Sequence, residues 1–284
     1  MLKFLIFGGN GMLAYAFKNH EYFKDHIAVD LPECDITDIV SVKNIVSKYQ
    51  PEYIINCAAY TDVTKAETDF KQANHVNGSG TQNLAYAAQK HKCKLIHFST
   101  DFVFKGDTDI EYSEDTRTDH VNNYGFSKLL GEEAIQIINP NYLIIRISWL
   151  YGPNGKNFAS IISKLMQEKP ELKIVSDQFG KTTYTIDVVE ATINLIEKNA
   201  KGIYHFANNG VSSRYVFTKK IYKVLKEYKD FECDILPMKA EDYPDPTPRP
   251  TWSILKTDKY TQATGQKIRG WEEALEEYIL SCEV

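Results

Sequence analysis

The sequence predicts an α/β fold, a doubly wound parallel sheet with a smaller C-terminal α/β domain beside it, on three observations. A short apolar run, Leu2 to Phe7, drives into a glycine-rich turn and then a helical stretch. Apolar runs and helical stretches then alternate at regular intervals as far as Ile147, the pattern of strands buried on both faces of a parallel sheet. Beyond Trp149 the alternation gives way to turns and a proline cluster. The expected division is therefore 1–148 with a return segment 182–204 for the sheet domain, and 149–181 with 205–284 for the smaller one.

The opening turn reads G-G-N-G-M-L-A. Gly8, Gly11 and Ala14 stand at a spacing that lets the backbone turn tightly, approach a pyrophosphate, and pack the next helix on the strand. The helix's unpaired N–H groups and positive dipole end would face the phosphates. The next strand, expected from His26, closes on Asp30, which stands 22 residues after Gly8. A carboxylate there accepts hydrogen bonds from an adenosine ribose. Strand, turn, helix and acid together read as a Rossmann-type dinucleotide site.

Asp35 has two readings, an adenine contact and a cap on the helix that begins at Thr37-Asp38 and stops before Pro51. Tyr53 to Cys57 is the next strand, and Asn56-Cys-Ala-Ala59 supplies small residues where a cofactor can lie against the backbone. One long helix is expected from Asp69 to His91. Lys94 to Ser99 forms a buried strand that emerges with Thr100-Asp101. Residues 104–120 are polar and irregular, as expected of a loop over a site. A helix from Asn122 to Ile138 and a strand from Tyr142 to Ile147 complete the regular alternation. The turn Tyr151 to Gly155 follows, then a helix to about Glu168 and a short strand near Leu172 to Val175. A helix from Asp187 to Lys198 leads to an extended segment, Gly202 to Phe206, that returns to the first sheet. Ser212 to Tyr228 is an amphipathic helix, the prolines between Tyr243 and Pro250 forbid a helix or central strand, and Trp271 to Leu280 is a final helix.

A net charge of −5 and a balanced 25% of charged residues argue against a general nucleic-acid or anionic-membrane binder. The five cysteines are scattered without a C-x-x-C pair, and the seven histidines form no H-x-x-x-H pair. Reduced thiols in a cytoplasmic protein, with no disulfide framework and no metal site, are expected. No run approaches the roughly 18 apolar residues of a membrane helix.

A tyrosine four residues before a lysine on one helix puts both on the same face, where an ammonium can stabilise a phenolate, lower its pKa and hold a nicotinamide ribose. The chain contains this spacing four times. Tyr86/Lys90, Tyr215/Lys219 and Tyr222/Lys226 lie inside ordinary amphipathic helices. Tyr124/Lys128 opens the helix after the polar loop, downstream of the strand that ends at Thr100, and is the pair expected to carry chemistry.

The motifs G-G-N-G-M-L-A, N-C-A-A-Y-T, S-T-D-F-V-F-K-G, Y-G-F-S-K, S-W-L-Y-G and R-P-T-W-S occur in the order seen in the dTDP-4-dehydrorhamnose reductase family of extended short-chain dehydrogenase/reductases, which the whole chain resembles. The resemblance implies reduction of the C4 ketone of dTDP-4-dehydro-β-L-rhamnose by NADPH or NADH, for cell-surface polysaccharide, by a monomer or homodimer. It implies a triad of Thr100, Tyr124 and Lys128. Cofactor contacts are expected at Gly8, Asn10, Gly11, Met12, Leu13, Asp30, Asp35, Ile36, Ala58, Ala59 and Tyr60, besides Tyr124 and Lys128. Asp101 and Trp149 would line the sugar pocket beside Thr100, and Arg249 would meet the nucleotide diphosphate. The chain departs from the family pattern at Asp62 and Thr64, at Phe102, and in G-K-T-T at 180–183, positions of the pocket rather than of the triad. Two further readings belong to the same resemblance: a reductase of another nucleotide-linked 4-keto-6-deoxy sugar, and a non-catalytic regulatory subunit, since that of methionine adenosyltransferase is similar to this family.

Overall fold

The computed structural model describes residues 3–282; Leu2, the expected start of the first strand, lies outside them. Strand β1 (Phe4–Phe7) is completely buried. Its side chains alternate between two cores, Phe4 and Ile6 in one, Leu5 and Phe7 in the other, as the period of two in a strand requires. Helix α1 (Met12–Lys18) follows the glycine turn, then β2 (His26–Val29), α2 (Ile39–Tyr49) capped by the Asp38 side chain, and β3 (Tyr53–Asn56).

The helix expected from Asp69 to His91 is present, its backbone helical from α4 (Phe70–Asn74) through a π-helical turn His75–Gly80 into α5 (Thr81–His91), and a separate short α3 (Val63–Thr68) precedes it. Asp69 starts the long helix as expected, its carboxylate capping α4 by accepting from Gln72 N at 3.1 Å. The wide turn has a use. It carries Asn77, whose buried side chain accepts from Tyr60 N at 2.9 Å and donates to Tyr60 O at 3.0 Å. Then come β4 (Lys94–Thr100), buried throughout, α6 (Asn123–Ile138) and β5 (Tyr142–Ile147).

The second half of the chain begins with β6 (Leu150–Tyr151), α7 (Phe158–Glu168), β7 (Glu171–Val175), β8 (Phe179–Gly180) and β9 (Thr183–Tyr184). Helix α8 (Thr185–Glu197) and β10 (Gly202–His205) then rejoin the first half. After them come β11 (Ser212–Ser213), α9 (Arg214–Lys226), β12 (Asp234–Met238), β13 (Trp252–Ser253), α10 (Asp258–Thr264) and α11 (Trp271–Cys282).

The main sheet is parallel throughout, in the order β10-β5-β4-β3-β1-β2. Helices α1 and α8 supply one face, with Phe17, Val188, Val189 and Ile196 in its core. Helices α2, α5 and α6 supply the other, with Val42, Val46, Leu84, Ala88 and Ile135. Each such aliphatic or aromatic side chain removed from water contributes about 1.5–3 kcal/mol. The strand order reverses between β1 and β3, so the crevice for a ligand opens outside the carboxyl ends of these strands. A third core, around Tyr151, Met166, Phe217, Leu225, Trp271 and Tyr278, holds α7, α9 and α11 together. The two-residue strands β11, β8 and β13 form a small sheet of their own.

Candidate active site

Three strand ends meet at the crevice. Gly8, after β1, has φ +75°, and a Cβ there would come 2.5 Å from Ala58 N, after β3. Only glycine lets these two ends touch. Gly11 N donates to Gly8 O at 3.0 Å, closing the turn, and a Cβ on Gly11 would meet nothing nearer than Gly8 O at 3.2 Å. The turn therefore presents bare backbone outward, a cradle of the kind a pyrophosphate needs. Asp30 braces it: one oxygen accepts from Asn10 N at 2.9 Å and the other from Leu31 N at 2.8 Å. Asn10 is exposed and Met12 half-buried, whereas Leu13 and Ile36 are buried in the cores, leaving only their backbones to a ligand. Asp35 accepts from Thr37 N at 2.8 Å and from the Thr37 hydroxyl at 2.7 Å, which is a local turn-capping use. Ala58, Ala59 and Tyr60 are half-buried, and Asn77 fixes the Tyr60 backbone while donating to Ser127 Oγ of α6 at 2.9 Å.

The end of β4 brings Thr100 and Asp101 to the same edge. The Thr100 hydroxyl accepts from Phe102 N and donates to Asp101 Oδ1, both at 3.1 Å. Asp101 is 2% exposed, and its Oδ2 has no hydrogen-bond partner. Burial pushes its carboxyl up to about 6, against the pull of the Ser253 and Thr100 hydroxyls and the positive charge of Arg214. Across from it, α6 starts at Asn122, whose Oδ1 accepts from Gly125 N at 2.8 Å while its Nδ2 donates to Pro248 O at 2.9 Å. One side chain thus ties the helix start to the proline segment.

Tyr124 projects from the first turn of α6, half-buried, with its ring edge-on to Phe102 at 5.8 Å. Burial and the neighbouring charge of Asp101 push its phenol up to about 12, and the Thr100 hydroxyl opposes them. Lys128, one turn on, is 3% exposed and donates from Nζ to Phe98 O at 2.6 Å. Its Nζ also lies 3.3 Å from Nε2 of His97, a ring kept neutral by burial and by the Lys128 charge. Asn56 donates to His97 Nδ1 at 3.0 Å; the ring's own proton is then on Nε2, so the Phe98 carbonyl is the firm partner of the ammonium. Burial lowers Lys128 to about 8. The phenol therefore stands high where the sequence predicts it low, first because it is buried and then because Asp101 faces it, while the Lys128 ammonium is bonded to the strand carbonyl.

Trp149 sits at φ +46° with the Arg214 guanidinium 3.7 Å from its ring centroid. Arg249 donates to Asp245 Oδ2 at 3.0 Å, and Thr64, one of the departures from the family pattern, donates to the same oxygen at 2.6 Å. Lys181, another departure, is buried and donates to Leu255 O at 2.9 Å. Sequence reasoning missed His97, Asn77 and Arg214. A lone polar residue inside the apolar run 94–99 is a signal for the first; nothing in the sequence marks the other two. Among the described residues no three His, Cys, Asp or Glu side chains are grouped to hold a metal ion.

The family model described as the RmlD substrate binding domain matches residues 2–283. The spore coat polysaccharide biosynthesis protein SpsK of Bacillus subtilis is 38% identical, over 98% of this chain and 97% of its own length. A dTDP-4-dehydrorhamnose reductase of Mycolicibacterium smegmatis is 34% identical, over 98% of this chain and 85% of its own. The crystal structure of dTDP-4-dehydrorhamnose reductase from Bacillus anthracis in complex with NADP superposes with a TM-score of 0.94 at 33% identity, covering 98% of this chain and 99% of that one.

Proposed function

Since the chain belongs to the RmlD substrate binding domain family, that of the dTDP-4-dehydrorhamnose reductases, we propose that it reduces the C4 ketone of dTDP-4-dehydro-β-L-rhamnose to dTDP-β-L-rhamnose with NADPH or NADH. The observation that carries this reading is the meeting of Thr100, Asp101 and a protonated Tyr124 beside the glycine cradle. Gly8, Asn10 and Gly11 would hold the pyrophosphate by backbone, Asp30 the adenosine ribose, and Ala58 to Tyr60 the far wall. No arginine follows Asp30 immediately to neutralise a 2′-phosphate, which favours NADH, whereas the likeness to an NADP complex favours NADPH. Both are therefore assigned.

When bound, the nicotinamide supplies a hydride to the ketone carbon. Thr100 orients the carbonyl oxygen, and Tyr124, whose raised pKa keeps it protonated at working pH, gives its proton to that oxygen as negative charge develops. Lys128, anchored on the Phe98 carbonyl, would contribute a donor for the nicotinamide ribose. Asp101 and Trp149 would line the sugar pocket, and Arg249 would meet the diphosphate. A cytoplasmic enzyme fits its free cysteines, and its assembly is proposed to be a monomer or homodimer; among the described residues no helix is long and apolar enough to cross a membrane.

The test follows NAD(P)H absorbance with the keto sugar nucleotide generated in situ from dTDP-glucose by its dehydratase and epimerase. Wild-type protein consumes cofactor, and Tyr124→Phe lowers kcat by roughly 10²–10⁴-fold with cofactor affinity nearly unchanged. No consumption by wild type, or a Tyr124→Phe enzyme as fast as wild type, refutes the mechanism.

A further inference from the structure

Arg214 is the first residue of α9, directly after the small sheet in which Ser213 pairs with Phe179 and Gly180 with Ser253. That sheet stacks three things in one place. Gly180 lies under the Trp149 indole so closely that a Cβ would be 2.6 Å from Cε2. The Arg214 guanidinium lies on the indole at 3.7 Å from the ring centroid, with the Phe158 ring centroid 4.7 Å away. Ser253 brings its hydroxyl toward Asp101.

A guanidinium stacked on an aromatic face is held by cation–π attraction while its five N–H donors point outward in the plane of the fork. Arg214 is half-buried, and among the described residues none accepts a hydrogen bond from it. Asp101 faces it with the opposite deficit: Oδ1 is taken by Thr100, and although the Ser253 hydroxyl pulls on the carboxyl, the buried Oδ2 has no donor at hydrogen-bond distance. The two charges feel each other but form no ion pair at contact distance. A group between them must accept from the arginine and donate to the carboxylate. A phosphate accepts from the arginine but has no proton to give the carboxylate and is repelled by Asp101. A hydroxyl does both.

We propose that Arg214 is a specificity-determining residue which, with Asp101, reads the sugar hydroxyl adjacent to the reacting ketone. The proposal rests on the reductase reading above. Adjacency follows from Thr100, whose hydroxyl is bonded to Asp101 and stands beside Tyr124, so the carboxylate is next to whatever holds the ketone oxygen. On a 4-keto sugar that hydroxyl is at C3.

The experiment compares kcat/KM for the keto sugar nucleotide and its 3-deoxy analogue in wild type, Arg214→Met and Arg214→Lys. A site whose buried polar groups are left unpaired by the analogue rejects it strongly, here by about 10²-fold or more. Arg214→Met keeps the stem on Trp149 but loses the fork; its discrimination collapses to within roughly tenfold, through loss on the hydroxylated substrate. Arg214→Lys, which keeps the charge, falls between. Melting temperature and cofactor affinity monitor folding. Unchanged discrimination in either folded variant overturns the proposal even if overall activity drops, since a packing role would lower both substrates alike. Wild type that does not discriminate overturns it as well, without need of a variant. Wild type that turns over neither substrate overturns the reductase reading and this proposal together, whereas turnover without discrimination overturns this proposal alone.

Discussion

Asp101 carries opposed demands on stability and binding. Its folded-state carboxyl is raised to about 6 by burial, against about 3.9 in an unfolded chain. The folded state therefore holds the proton more tightly, and stability is lost as pH rises from about 4 to about 6, remaining low above that. Asp101→Asn removes this loss. Its melting advantage over wild type is near zero at pH 4 and reaches on the order of 2–3 kcal/mol above pH 6, several degrees for a chain of this size, while kcat/KM falls. Thermal melts across pH check it, and an advantage as large at pH 4 as at pH 7.5 rejects the account. At this scale the sequence showed one local pairing but not its electrostatics. Tyr124 and Lys128 were legible because an i, i+4 spacing is local. The direction of the tyrosine's shift was not, because it depends first on the burial of the phenol and then on Asp101 facing it.

The elements around the cradle depend on backbone that only glycine supplies. Gly8→Ala forces a Cβ into a φ of +75° and against Ala58 N, so the ends of β1 and β3 must separate. The expected cost is about 2–4 kcal/mol, with a melting temperature lower by roughly 5–10 °C and at least about tenfold weaker cofactor binding. A variant with wild-type melting and wild-type cofactor titration contradicts this. The strands of the main sheet were legible as apolar runs because both of their faces are buried. The pieces β8, β11 and β13 are two residues each, too short for any period to register, and they are what position Arg214 over Trp149. The π turn within the long helix was also hidden, since an Asn inside a polar helix looks like a solvated side chain until its partner, the Tyr60 backbone, is known.

At the scale of the molecule, the chain leaves the main sheet after β5 and returns to it for α8 and β10 only after β6 to β9 and α7 have been laid down. Leu143, Ile144 and Ile145 of β5 pair with Gly202, Ile203 and Tyr204, and α8 covers the core beside Phe17 and Ile145. A fragment ending at residue 148 keeps five of the six strands but has β5 as a bare apolar edge. It is expected to associate or precipitate, and appending 182–204 through a flexible linker is expected to restore a soluble monomer by gel filtration; a soluble, monomeric 1–148 fragment refutes this. The ribosome meets the same problem in time. While residues between β5 and β10 are still being polymerised, β5 has no neighbour on one side and its apolar seam is open to other nascent chains. Slow translation through that interval lengthens the exposure, so recovery of this protein in a host cell depends on how fast its middle third is made and on holdase chaperones that occupy the seam until β10 arrives.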